Sequence, residues 1–414
     1  MDIQSYLSRY AELIAAHGAN VQPGQRVTVA GEVCHRELCW RIADAAYRRG
    51  AAFVHIDLVE PRLQRSRVLH SAEEQLHYVP RYVPTKFQEV VDDVGAVIRI
   101  VGAETPELMA DLDPRRMNAL RLADFRAREH FYEEGIKKSR VHWTVAAGAT
   151  VGWGEQVFPD LRGHAAETAL WREIFRICRV DQPDVLGTWE QHNRALHERA
   201  KRLTELGIRA LHFRGPGTDL TVGLSERAVF RGGSDTSPRG VSFEPNIPTE
   251  ECFTTPDARQ TEGHVRTTRP FFVNGRLIKG LKLEFRAGRI VSASAREGLE
   301  TFEEYCRSDD GAVRLGEVAL VGIDSPVFRS GHVFHEILFD ENAACHIAIG
   351  SAYKFCLRDG DRLSDEELNA IGCNQSSVHT DMMISSEEVD VDASLASGER
   401  RPLLVRGEFV DELR

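Results

Sequence analysis

Apolar positions in the first half of the chain change period repeatedly. In "RVTVAG" (Arg26 to Gly31) and "AAFVHIDL" (Ala51 to Leu58) they crowd into short β-branched runs. Between them, "ELCWRIADAAYRRG" spaces its apolar residues as a helix does, until Gly50 closes the stretch. "VGAVIRIVG" and "RVHWTVAAG" repeat the buried-strand pattern further on. Strands alternating with helices predict an α/β N-terminal domain built around a mostly parallel, open sheet.

A long helical stretch, "DVLGTWEQHNRALHERAKRLTELG", runs from Asp184 to Gly207 and ends on a glycine suited to the left-handed position after a helix. The texture then turns to β. "IRALHFRG" and "GPGTDLTVGL" alternate as strands, and "FFVNGRLI" carries the Asn274-Gly275 pair of a tight hairpin. The pattern predicts a boundary near residue 205, giving an N-terminal domain over 1–205 and a mixed α+β, strand-rich C-terminal domain over 206–414. Gly215-Pro216-Gly217 lacks the lysine and following helix of a phosphate loop and reads as a turn.

Composition narrows the function. At 414 residues the chain exceeds one ordinary core, and its net charge of -11 argues against nucleic acid, which needs a concentrated basic face. Eight cysteines stand singly with no CxxC pair, the usage expected of reduced thiols in a cytoplasmic protein. The N-terminal residues do not have the layout of a secretory signal, and no uncharged run reaches membrane-spanning length, so no membrane partner is expected. The first strand-to-helix turn, "VAGEVCHRELCW", has one glycine where a dinucleotide fingerprint needs three. Its Cys34, His35, Glu37 and Cys39 read as helix-start and core residues rather than ligands.

Candidate chemistry lies in the second half, where metal-binding side chains interrupt four buried-looking runs. These are "NIPTEECFTTP" with Glu250 and Glu251, "RLGEVALVG" with Glu317, "FDENAACHIAIGSAY" with Asp340, Glu341, His346 and Tyr353, and "VHTDMMIS" with His379 and Asp381. Alternate residues of a strand share a face, so His379 and Asp381 are able to meet one ion while Val378, Thr380 and Met382 turn away. Glu317 likewise opposes Val318 and Leu320, and Cys252 and Cys345 are set against Glu251 and His346, which removes them as ligands. Several carboxylates in one place raise each other's pKa unless cations neutralise them. Oxygen and imidazole donors without thiolate suit zinc, cobalt, manganese or magnesium, and more acids than one tetrahedral ion uses point to two divalent ions. "HEILF" from His335 starts like a zinc-peptidase helix but has Phe339 at the second histidine position, so His335 and Glu336 are set aside.

Those four motifs, in that order, resemble the signature of the aminopeptidase T family, the thermophilic and staphylococcal type of metal-dependent aminopeptidase, also called aminopeptidase II or S. The likeness extends through "GPGTDLTVGL" and "GWGEQVFPD" back to "GQRVTVAG", and so spans essentially the whole chain. The resemblance implies a homodimer of two-domain subunits that acts on peptides with a free N-terminus, its two-metal site lying in the C-terminal domain. Carried over by position, it implies metal ligands Glu251, Glu317, His346, His379 and Asp381, with Glu341 at the metals and as catalytic base, and with Tyr353 as a catalytic residue lining the site. Glu250 stands as an alternative to Glu251. Cys252, where an aliphatic residue is commoner, and "GWGEQVF" depart from the family's usual form and bear on substrate preference. A related scaffold serves iron(II) dioxygenases that open hydroxylated pyridine rings, an alternative reading that needs only a facial triad. A non-catalytic binding module would require a missing ligand, and none is missing.

Overall fold

The computed structural model describes residues 2–414. The four runs read as strands in the first half form Arg26–Glu32 (β1), Phe53–Val59 (β2), Ala96–Val101 (β3) and His142–Ala147 (β4). They pair in parallel in the order β2-β1-β3-β4, and a short strand, Asn246–Ile247, adds in parallel beside β4. Parallel neighbours require a crossover between them. Helix Arg36–Arg48 supplies the first, burying Leu38, Cys39, Ile42, Ala45 and Ala46. The residues at its start are used in packing: His35 Nε2 meets the Gly148 carbonyl at 3.2 Å, and burial pushes its imidazole down to about 4.

By compactness the chain groups as Met1–Asn193 with Gly233–Thr249, and Arg194–Gly232 with Glu250–Arg414. A single cut near residue 205 does not describe this division, because segment 233–249 returns to complete the parallel sheet with Asn246–Ile247. Helix Val185–Glu205 runs across the first of these limits.

The second unit is strand-rich. An eight-stranded sheet includes Ile208–Gly215 and Thr218–Leu224, paired antiparallel. Phe271–Val273 and Arg276–Ile278 form the expected hairpin, with Asn274 at φ 49° and Gly275 at φ 76°, the left-handed pair that a type I′ turn demands. Leu211, Phe213, Leu220 and Val222 join one core with Val318, Leu320, Ile347, Ile349 and Met382, which come from a separate four-stranded sheet. That sheet therefore has one face committed to the core. Among the described residues, no helix is long and apolar enough to cross a membrane.

Candidate metal centre

Strand register builds the site. Cys252–Thr254, Leu315–Leu320, His346–Gly350 and His379–Met383 lie side by side and antiparallel. Directly opposed residues share a face. Glu317 opposes Ala348, which opposes Asp381; Ala319 opposes both Phe253 and His346; Gly350 opposes His379. One face thus carries Glu317, His346, His379 and Asp381, while Val318, Ile347 and Met382 fill the core behind. Glu251 immediately precedes the first strand and, two residues before Phe253, belongs to the same face. The central strand is small where the acids crowd: Ala348 sits between Glu317 and Asp381. At Gly350, with φ 101°, a Cβ would lie 2.0 Å from the Val378 carbonyl oxygen, so only glycine fits.

Two groups of donors result, and they share one residue. Glu251, Glu317 and His346 each present a ligand atom within 4.8 Å of the others, and so do Glu317, His379 and Asp381. His346 Nε2 lies 2.9 Å from Glu251 Oε2 and 4.0 Å from Glu317 Oε1. His379 Nε2 lies 3.3 Å from Glu317 Oε2 and 3.6 Å from Asp381 Oδ1. Both rings are oriented from behind: Nδ1 of His346 faces the Ala344 carbonyl at 3.2 Å and Nδ1 of His379 the Ser351 carbonyl at 2.8 Å. A proton on Nδ1, donated to that carbonyl, leaves the Nε2 lone pair facing the carboxylates, the tautomer a metal ligand requires. Glu251 Oε2 is buried and accepts no hydrogen bond despite its closeness to His346. A lone pair facing a carboxylate is unfavourable unless a proton or a metal ion lies between them, and this donor set, oxygen and imidazole without sulfur, fits divalent ions. The thiols point elsewhere, Cys252 Sγ at the Leu196 carbonyl and Cys345 Sγ at the Val321 carbonyl.

The other expected residues occupy distinct positions. Glu341 lies buried in the short helical turn Glu341–Ala343, before the His346 strand rather than in it. Glu250 is next to the site but its N–H donates to Asn342 Oδ1 at 2.7 Å, and its carboxylate belongs to neither donor group. Asp340 is answered by Arg269, whose Nη1 lies 3.0 Å from Oδ1 while also donating to the His332 carbonyl at 2.8 Å. The Tyr353 ring sits 5.2 Å from that of His379. His335 has a positive φ of 57° and precedes the short helix Ile337–Asp340, so no two-histidine helix forms there.

Comparison with known proteins decides the family. The profile of the thermophilic metalloprotease (M29) family matches residues 3–409. Aminopeptidase 2 of Geobacillus stearothermophilus is 39% identical over 407 residues, covering 98% of each chain. The chain belongs to the M29 family. Aminopeptidase T of Thermus aquaticus is likewise 39% identical over 404 residues, with 98% of each chain covered. The solved structure of wild-type AmpT from Thermus thermophilus superposes with a TM-score of 0.89 at 37% identity, over 98% of this chain and 99% of that one. The dioxygenase reading has no support among these relatives and is withdrawn.

The electrostatics of this M29 site follow from burial and crowding. Burial, then repulsion by Asp381 and Glu251, pushes Glu317 up to about 7 against the His379 hydrogen bond. Glu341 is raised well above the usual carboxylate range, by burial first and then by Asp381 and Glu251. Burial pulls both histidines down but their neighbours override it, Glu251 first for His346, and Tyr353 and then Asp381 for His379, so both end above the ordinary imidazole value. Asp381 alone is held low, since His379 outweighs the effect of burial. The acids need positive charge, and either protons or divalent ions supply it.

Two parts of this M29 site had no signal in the sequence. The carbonyls of Ala344 and Ser351 that orient the rings are backbone groups, invisible in side-chain patterns. Asn342, which ties the Glu250 N–H to the Leu338 carbonyl, reads as an ordinary polar residue until both partners are seen.

Proposed function

We propose that the chain removes the N-terminal residue from peptides and uses two divalent ions to do so. The observation that carries this reading is the orientation of Glu317, with Oε1 toward His346 and Oε2 toward His379. Glu251 and His346 with one Glu317 oxygen would hold one ion; His379 and Asp381 with the other oxygen would hold the second. Glu341 stands at or beside them, and zinc, cobalt, manganese or magnesium suits the donors. When bound, such ions polarise the scissile carbonyl and lower the pKa of water toward neutrality. Glu341, buried in the turn before the His346 strand, takes the proton of the attacking water as a carboxylate and delivers it to the leaving amine. The hydroxyl ends on the acyl carbon and the proton on the amine nitrogen. The phenol of Tyr353, kept protonated by burial, donates to the developing oxyanion. The carboxylates also attract the substrate's α-ammonium group, which accounts for a requirement for a free N-terminus.

The names of the relatives support the peptidase chemistry, since those compared are aminopeptidases. The free cysteines support a cytoplasmic location. A homodimer, and a functional division with the chemistry in 206–414, complete the proposal. Metal analysis of the purified protein together with release of leucine or arginine from short peptides tests it. Two ions per chain and activity abolished by chelation are expected. One ion per chain would remove the bridging role of Glu317, and full activity without metal would remove the mechanism.

A further inference from the structure

Beside the metal centre three aromatic rings are only half buried. The Phe253 and Tyr353 ring centroids are 6.0 Å apart, Tyr353 and Phe355 stack at 5.0 Å, and Phe253 meets Phe355 at 6.2 Å. Each retains intermediate exposure, whereas the core aromatics of this unit, Phe213, Phe285 and Phe302, are at most 1% exposed. The place of Phe253 is fixed by the same register that builds the metal face, and Tyr353 and Phe355 follow the His346 strand in and beside the short turn Lys354–Cys356. Phe253 opposes Ala319, which opposes His346, so its ring projects on the ligand side. The backbone behind them is held: Arg231 and Phe253 exchange both N–H···O bonds at 2.8 Å, and Arg231 Nε donates to the Phe355 carbonyl at 3.1 Å.

We propose that Phe253, Tyr353 and Phe355 form the wall that receives the side chain of the substrate's first residue, so that peptides beginning with a large apolar or aromatic residue are preferred over those beginning with alanine or an acid. The inference rests on the aminopeptidase reading above. A substrate's first side chain starts only two bonds from its scissile carbonyl carbon, so it must lie against whatever surface adjoins the metals. Here that surface is aromatic, and covering it with a large apolar side chain removes apolar area from water on both partners. A small side chain leaves the rings wet, and a carboxylate loses hydration against the apolar ring faces.

The test compares kcat/KM for alanine, leucine, phenylalanine and glutamate p-nitroanilides on the cobalt-loaded wild type, Phe253→Ala, Phe355→Ala and Phe355→Leu. The wild type should favour leucine and phenylalanine over alanine by about tenfold or more, and each alanine variant should lose about fivefold or more on those two while holding alanine within about twofold. Phe355→Leu, which keeps an apolar wall, should stay within about threefold on all of them. Metal-induced thermal shifts equal to the wild type's show that the variants retain the centre. Equal losses on every substrate, or none, would overturn the wall while leaving the aminopeptidase reading intact. A metal-loaded wild type that cleaves none of the four would overturn both.

Discussion

Glutamine has the shape of Glu341 but takes up no proton near neutrality. Glu341→Gln should therefore leave metal affinity within a few-fold while lowering kcat by about 10²–10⁴. Single-turnover kinetics with a metal titration separate the two effects, and unchanged turnover would remove Glu341 from the mechanism. Glu317 makes a second prediction, for the metal-free protein. From the ordinary value of 4.5 up to about 7 the folded protein keeps a proton on Glu317 that the unfolded chain has released. His346 and His379, held above the usual imidazole range, act with the same sign. The stability these groups contribute is full on the acid side of that window and is lost as pH rises through it. Asp381, held low, opposes them only on further acidification. Urea midpoints of the chelated protein should be lower at about pH 8 than at about pH 6, and excess zinc should remove the difference. A midpoint that rises with pH in the absence of metal would contradict the assignment.

At the scale of elements, the site depends on a strand that is small in the right places. Ala348 is fully buried and lies between the strands that present Glu317 and Asp381. Ala348→Val adds bulk there, with an overpacking cost of about 1–3 kcal/mol. By pushing the two carboxylates apart it should also weaken metal binding about tenfold or more, as disturbed support of ligands does. Calorimetric titration with zinc checks this, and unchanged affinity would show that the strands yield without moving the acids. The turn that carries Glu341 is pinned differently. Arg269 holds both Asp340 and the His332 carbonyl, and the Phe334 N–H donates to the same Asp340 oxygen at 3.1 Å. Arg269→Met leaves that carboxylate buried without its partner and should cost about 3–5 kcal/mol in urea unfolding. Adding Asp340→Leu should recover most of the loss.

For the whole molecule, ions that bind only the folded chain stabilise it by mass action, by about 2.7 kcal/mol at a free concentration a hundred times Kd. Exhaustive chelation should therefore lower the melting temperature as well as abolish peptidase activity, and zinc, cobalt or magnesium should restore both. What was legible in the sequence was local. β-branched runs, a type I′ Asn274-Gly275 turn and helical spacing before Gly50 each act within a few residues, and all three appear as read. The strand period likewise set His379 and Asp381 on one face. The pairing of distant segments was not legible. The register of the Glu317 strand includes an irregularity between Leu315 and Glu317, and a slip of one residue would have turned its carboxylate into the core. Only the assembled sheet brings Glu251, rather than Glu250, into the donor group, points the two oxygens of Glu317 at different histidines, and sets Arg269 against Asp340. Periodicity fixes which way a side chain faces from its own strand, because backbone geometry repeats along the chain. Which side chains then meet depends on hydrogen-bond register between strands far apart in the sequence, and that is decided by the packing of the whole.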